Sequence, residues 1–289
     1  MTAAHPRASL NQATIKHASL AEAIDATLLA GYESIGLWRE PVLEAGLGRS
    51  IQLVDDSGLR VSSLCRGGFF TMEDGPARRA SIDDNRRAIA EAHALGAPAL
   101  VLVAGGLPDG NRDLVGARGR VSDAIAELAD DAAAAGVTLA IEPLHPMYAS
   151  DRAVVSTLGQ ALDIAEQFPS DVVGAVVDTF HVWWDPHLLA QIERAGAGDR
   201  IASYQVCDWA TPLPADVLLA RHYPGDGVID FASITDAVEA AGYAGDVEIE
   251  IFNRDVWDSG YDEVAARARD SFASAVAPRL RVLDGSGRV

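Results

Sequence analysis

The chain has 289 residues, 49% of them hydrophobic, and a formal net charge of −19. That length suits one large domain over residues 1–289 and a sizeable core. The charge argues against a nucleic-acid backbone or an anionic membrane surface as partner. No apolar run reaches the roughly 18 residues of a membrane span.

The first residues, MTAAHPRASLNQATIKH, lack a basic start followed by an apolar stretch, so no secretory signal is expected. Nothing forces Cys65 and Cys207 to pair, and the expectation is reduced thiols in a cytoplasmic protein. Short apolar runs then alternate with longer amphipathic ones. The predicted strands, in order, are 9–15 (SLNQATI), 34–38 (SIGLW), 60–65 (RVSSLC), 99–104 (ALVLVA), 138–144 (TLAIEPL), 174–180 (GAVVDTF), 201–208 (IASYQVCD) and 246–252 (DVEIEIF). Helical periodicity lies between them, for example over 20–29, 82–95, 121–135 and 233–241. Gly31, Gly96, Gly136 and Gly242 each follow a helical run and precede a strand, as a left-handed helix cap would. Eight strand–helix units predict an α/β chain folded as a single (β/α)8 TIM barrel. No G-x-G-x-x-G follows the first strand, which removes the dinucleotide-binding alternative.

In such a barrel the active site gathers where strands end. Glu142, Asp178, Gln205 and Glu250 sit late in the last four predicted strands, 36, 27 and 45 residues apart, about one βα unit each time. Burying several carboxylates together without a cation would raise their pKa values and cost roughly several kcal/mol. One divalent ion removes that cost. Oxygen donors favour Mn2+, with Mg2+, Co2+ and Zn2+ as alternatives. The bland reading of each carboxylate is a surface acid, and of Gln205 a core amide satisfied by backbone. His145 and His181 follow two of the candidates by three residues and are placed to contact substrate. Arg221 and His222 precede the turn Pro224-Gly225-Asp226-Gly227 and can reach the same mouth. Trp38, Trp183, Trp184 and Trp209 lie near strand ends, where an indole packs the core or stacks on a sugar. Trp38 and Trp209 are taken as substrate contacts. Glu248 shares the strand parity of Glu250 and needs a partner; Asn11, Gln12 and Lys16 are the candidates.

The segments LAIEPLHP, VVDTFH, YQVCDW, YPGDGVIDF and VEIEIF, with LAEAIDATLLAGYESIGLW near the start, resemble the xylose-isomerase-like superfamily of sugar phosphate isomerases and epimerases. The resemblance covers nearly the whole chain. It implies one divalent ion held by Glu142, Asp178, Gln205 and Glu250, and a substrate contact at His181. Many members carry His where this chain has Gln205. Gln there resembles dehydratase-type members such as 3-dehydroshikimate dehydratases.

The leading expectation is a metal-dependent isomerase or epimerase of a keto sugar or keto polyol. Glu142 and Glu250 would pass a proton through an enediolate. The alternatives are a metal-dependent dehydratase or lyase of the inosose or 3-dehydroshikimate type, and a non-catalytic sugar-binding or partner subunit. The expected partner is a small polyhydroxylated substrate; the sequence leaves its phosphorylation open, with the scarcity of lysine favouring an unphosphorylated one. Neither nucleic acid nor membrane is expected, and a homo-oligomer is compatible with the sequence.

Overall fold

The computed structural model describes residues 3–281. Eight parallel strands close into a barrel: β1 (Ala8–Asn11), β2 (Ser34–Trp38), β3 (Arg60–Gly68), β4 (Ala99–Val103), β5 (Thr138–Glu142), β6 (Val173–Asp178), β7 (Ile201–Val206) and β8 (Val247–Ile249). The order around the barrel is β1-β8-β7-β6-β5-β4-β3-β2. No helix among the described residues is long and apolar enough to cross a membrane. By compactness the chain falls into two units, residues 1–62 with 204–289, and residues 63–203.

The first unit holds β1, β2, β8, the start of β3 and the second half of β7. β1 pairs with β2 through Ser9↔Ser34 and with β8 through Ser9↔Glu248, and β8 pairs with β7 through Glu248↔Gln205. Helices α1 (Leu20–Leu29), α2 (Arg39–Ala45) and α3 (Leu47–Ser57) come from its N-terminal part. Ser19 starts α1 with a capping box to Glu22, so the first orphan backbone donors are satisfied by side chains. Near the start of β1, Arg7 Nη1 donates to Glu239 Oε1 at 2.6 Å, and both side chains are buried.

The second unit holds the rest of β3, then β4, β5, β6 and the first half of β7. Val103↔Glu142 and Leu139↔Val173 set the registers of β5 against its two neighbours. β4 and β6 are largely apolar runs buried along their whole length, as parallel strands between helices and a barrel interior are. Helices α4 (Pro76–Ala94), α5 (Leu114–Ala135), α6 (Leu158–Ala165), α7 (Thr179–Val182) and α8 (Leu188–Ala197) connect them.

Gly31, Gly96, Gly136 and Gly242 all have positive φ, so the four expected helix caps are present. Several predicted ends need correction. The run 9–15 is a strand only to Asn11; the Asn11 side chain accepts the Ala13 N–H and starts a 3-10 helix over Gln12–Ile15. The run 174–180 stops being strand at Asp178, because its carboxylate caps α7 by accepting the Phe180 N–H at 2.8 Å. The run 138–144 ends as strand at Glu142, and 246–252 ends at Ile249. The Glu250 N–H still reaches the Val206 carbonyl at 3.2 Å, so the ladder holds Glu250 at the strand's mouth end. Residues 201–208 pair as β7 only to Val206. Asp208–Trp209 then joins Arg221–His222 in a short antiparallel ribbon. The last elements are α9 (Phe231–Ala240), α10 (Arg254–Trp257) and α11 (Tyr261–Ala275).

Candidate active site

In the unit of residues 63–203, β5 and β6 bring Glu142, Asp178 and His181 together. Each offers one ligand atom, and these atoms lie within 4.8 Å of one another. All three residues are buried. Glu142 is the last residue of β5 and Asp178 the last of β6, so strand pairing fixes both carboxylates. One Asp178 oxygen caps α7 and the other faces His181 Nε2 at 3.8 Å. Glu142 Oε1 lies 4.0 Å from the same nitrogen. Neither distance is a hydrogen bond.

The imidazole of His181 is oriented from behind. The His145 backbone N–H donates to His181 Nδ1 at 3.2 Å. A neutral imidazole has one donor and one acceptor nitrogen. With Nδ1 accepting, the proton sits on Nε2, the nitrogen that faces the two carboxylates. His181 therefore offers a hydrogen there rather than a lone pair. It suits a contact to a substrate oxygen better than a bond to a metal. Tyr148 packs edge-on against the His181 ring at 5.7 Å between centroids, and Arg152 lies over Tyr148. The sequence reading missed both; only their position in the loop after β5 could have drawn attention to them. The His145 ring is half-buried and meets Trp184 edge-on, and Trp184 Nε1 donates to the His181 carbonyl at 2.7 Å. Desolvation holds the His145 imidazole below its ordinary pKa, so it is neutral at pH 7.

The unit of residues 1–62 and 204–289 carries the other candidates. Glu250 is 3% exposed and is paired: Arg221 Nη1 donates to its Oε2 at 2.6 Å and to its carbonyl at 3.3 Å. The Arg221 guanidinium also lies over Phe252, 4.9 Å from the ring centre. Arg221 thus reaches a strand end, where its contacts include Glu250, Cys207 Sγ at 3.8 Å and the face of Phe252. His222 is half-buried in the ribbon opposite Asp208. Asp208 itself was not singled out. It accepts N–H bonds from Trp209, Gly225, Gly227 and Ile229, and so ties the Pro224–Gly227 turn to the end of β7. A Cβ at Gly227 would lie 2.3 Å from Asp208 Oδ1, so only glycine fits there. Trp209 is buried in that ribbon. Trp38 ends β2, packs edge-on against Phe252, and donates from Nε1 to Asn11 Oδ1 at 2.8 Å. Lys16 lies over Trp257, 4.8 Å from the ring centre.

Gln205 is fully buried on β7. Its Nε2 donates to Glu248 Oε2 at 3.4 Å, while its Oε1 has no hydrogen-bond partner among the described residues. A buried carbonyl oxygen of this kind, and carboxylates such as Glu142 and Asp178, are hard donors that match a divalent cation. The residues present therefore fit the ion the sequence implies.

Fold and donor groups define the class: a parallel barrel that carries carboxylate, amide and imidazole groups at the C-terminal ends of its strands. The chain belongs to the xylose isomerase-like TIM barrel family, whose model matches residues 24–274. Protein SMc04130 from Sinorhizobium meliloti 1021 is 48% identical in sequence and superposes with a TM-score of 0.91, over 93% of this chain and 98% of that one. The IolI protein, whose crystal structure holds a zinc atom, is 21% identical with a TM-score of 0.82, over 96% of this chain and all of that one. L-ribulose 3-epimerase from Mesorhizobium japonicum is 31% identical over 170 residues, 58% of this chain and 52% of the epimerase. The chain spans about half the length of the first curated relatives it matches.

Proposed function

We propose that this chain is a divalent-metal-dependent isomerase or epimerase of a keto sugar or keto polyol. The observation that carries the reading is the buried cluster of Glu142, Asp178 and His181 at the ends of adjacent strands. Family membership and the similarity to an L-ribulose 3-epimerase support it. Glu142 and Asp178 would hold the ion. From strand order alone, Gln205 and Glu250 are proposed as its further ligands. When bound, such an ion stabilises negative charge on a carbonyl oxygen and so acidifies the neighbouring C–H; Mn2+ is the proposed metal.

The chain's own groups would do the rest. One of Glu142 and Glu250 takes the proton next to the carbonyl as a carboxylate, and the other, entering that step as the protonated acid, returns one to the neighbouring carbon or to the opposite face; Glu250, ionised beside Arg221, suits the first part. His181 directs its Nε2–H toward a substrate oxygen, with the His145 backbone holding the tautomer. His145, Trp38, Trp209, Arg221 and His222 are proposed to shape the substrate's surroundings.

A second reading follows from the same Nε2–H. If the substrate carries a leaving hydroxyl β to the carbonyl, His181 directs its Nε2–H to that oxygen, the proton removed from carbon leaves with the hydroxyl as water, and the reaction is a dehydration. Incubation with keto sugars, inososes and dehydroshikimate in D2O, followed by NMR, separates the two. The first reading expects a product of equal mass apart from deuterium next to the carbonyl. Loss of water with new ultraviolet absorbance would replace it with the second. No deuterium incorporation from any substrate class would remove both.

A further inference from the structure

Glu248 is fully buried on β8, and the proposed reaction gives it no task. It stands beside Gln205 in the parallel register of β8 and β7. Its Oε2 accepts from Asn11 Nδ2 at 2.7 Å and from Gln205 Nε2 at 3.4 Å. Gly36 makes the room, since a Cβ there would lie 2.6 Å from that same oxygen. The Asn11 amide cannot turn over without loss, because its Oδ1 already accepts from Trp38 Nε1 and from the Ala13 N–H. Its NH2 group must therefore face Glu248.

The same logic acts on Gln205. An ionised carboxylate only accepts, so an amide beside it must present nitrogen. The carbonyl oxygen of Gln205 is then forced to the other side of the group. That oxygen is the buried one with no hydrogen-bond partner among the described residues. A buried acceptor in that state is unfavourable unless a cation or donor meets it.

We infer that Glu248 is a positioning residue: it locks the Gln205 side chain with Oε1 turned out as a neutral oxygen donor for the divalent ion. The inference deepens the proposed function and rests on its reading of a metal centre. Partners behind a ligand that fix its orientation change metal affinity without touching the ion. Here the lock is the acceptor-only character of Glu248. It also explains how an amide, which presents a donor on one side and an acceptor on the other, can serve as a ligand at all.

The test is Glu248→Met, which keeps a side chain of similar size and removes the acceptor. Gln205 then gains a second orientation with NH2 toward the ion. Titration calorimetry of the full chain with Mn2+ should show affinity lowered about tenfold or more. In a Gln205→Leu background the same Glu248→Met change should have no further effect. The exchange Glu248→Met with Gln205→Glu should restore binding, because a carboxylate at 205 offers oxygen on both sides. Wild-type affinity in Glu248→Met, or an undiminished loss in the Gln205→Leu background, overturns the inference and leaves the metal centre standing. Absence of Mn2+ binding by the wild type overturns both. A second measurement needs no Glu248 variant. Zn2+ added to isotope-labelled wild type should shift the Gln205 carboxamide carbon, identified by its loss in Gln205→Leu; an unmoved signal overturns the inference.

Discussion

Glu142 and Glu250 are both buried at the mouth ends of parallel strands, yet their neighbours differ in kind. Glu250 carries a permanent counter-charge from its own unit, Arg221 at 2.6 Å. Glu142 shares its cluster with a second carboxylate and a histidine, a group that is cationic only when protonated. The first arrangement compensates charge inside the protein; the second assembles ligand atoms. Glu248 is a third case, held by amide donors from Asn11 and Gln205. The lesson is that burial alone does not mark a ligand. What faces the carboxylate decides whether it serves the fold, a neighbouring side chain or an ion.

The largest expected effect tests whether Glu142 and Glu250 share one reaction despite these surroundings. Glu142→Gln and Glu250→Gln should each lower turnover on a verified substrate by roughly a hundred- to ten-thousand-fold, the usual contribution of a positioned acid or base. Deuterium exchange into the substrate should fall with it. Near-wild-type turnover in both variants would move the base to His181, His145 or Lys16.

The next effect is on stability, and it should set the two carboxylates apart. Arg221→Met leaves Glu250 buried without its guanidinium and should destabilise the protein by about 3–5 kcal/mol. Adding Glu250→Gln should recover much of that loss, since the uncompensated charge is gone. Glu142→Gln in the metal-free protein should show no comparable penalty. Denaturant midpoints of the four proteins measure this; equal destabilisation by Glu142→Gln and Arg221→Met would erase the distinction.

Metal linkage is smaller and falls on the other cluster. Mn2+ at about a hundred times its dissociation constant should add about 2.7 kcal/mol of stability to the wild type. Asp178→Ala should lose that gain under the same conditions. A Mn2+-induced rise in melting temperature that survives Asp178→Ala would place the ion elsewhere.

These clusters were legible in the sequence to different degrees. The barrel could be read because its strands are short apolar runs and four of its helices stop at glycines that the fold uses at positive φ. Glu142 and Asp178 could be found because each interrupts such a run at its end. Side-chain partnership was harder. Asn11, Gln12 and Lys16 were equal candidates to meet Glu248. Only the folded chain shows that Gln12 accepts the Trp38 N–H and Lys16 sits over Trp257, which leaves Asn11. The ion pair of Arg221 with Glu250 was not legible, because the two residues lie 29 apart along the chain. Helices α2 and α3 escaped the reading because they are short and separated only by Gly46, so neither develops a long apolar stripe.

The smallest effect concerns a half-buried histidine in each unit, and it compares the units without touching a carboxylate at the mouth. Desolvation lowers the pKa of His145; at His5 desolvation also leads, Arg7 adds to it and Glu239 opposes it. Both are neutral in the folded protein at pH 7. In the unfolded chain each titrates near about 6.5. Below that pH the unfolded state takes up the proton first, so stability present at neutral pH declines until the folded pKa is passed. Melting temperatures at about pH 8 and about pH 5 should therefore differ, with the lower value in acid. Other groups contribute to that difference, so the informative comparison is between variants. His5→Gln should shrink the acid loss and leave the value at about pH 8 nearly unchanged, because a neutral side chain replaces a neutral one. His145→Gln should do the same in the other unit. At His5 the Arg7 charge acts in the same direction as removal from water and Glu239 acts against both, so His5→Gln should still shrink the acid loss. A His5→Gln variant with an unchanged acid loss would mean that the Glu239 carboxylate offsets desolvation fully at that site.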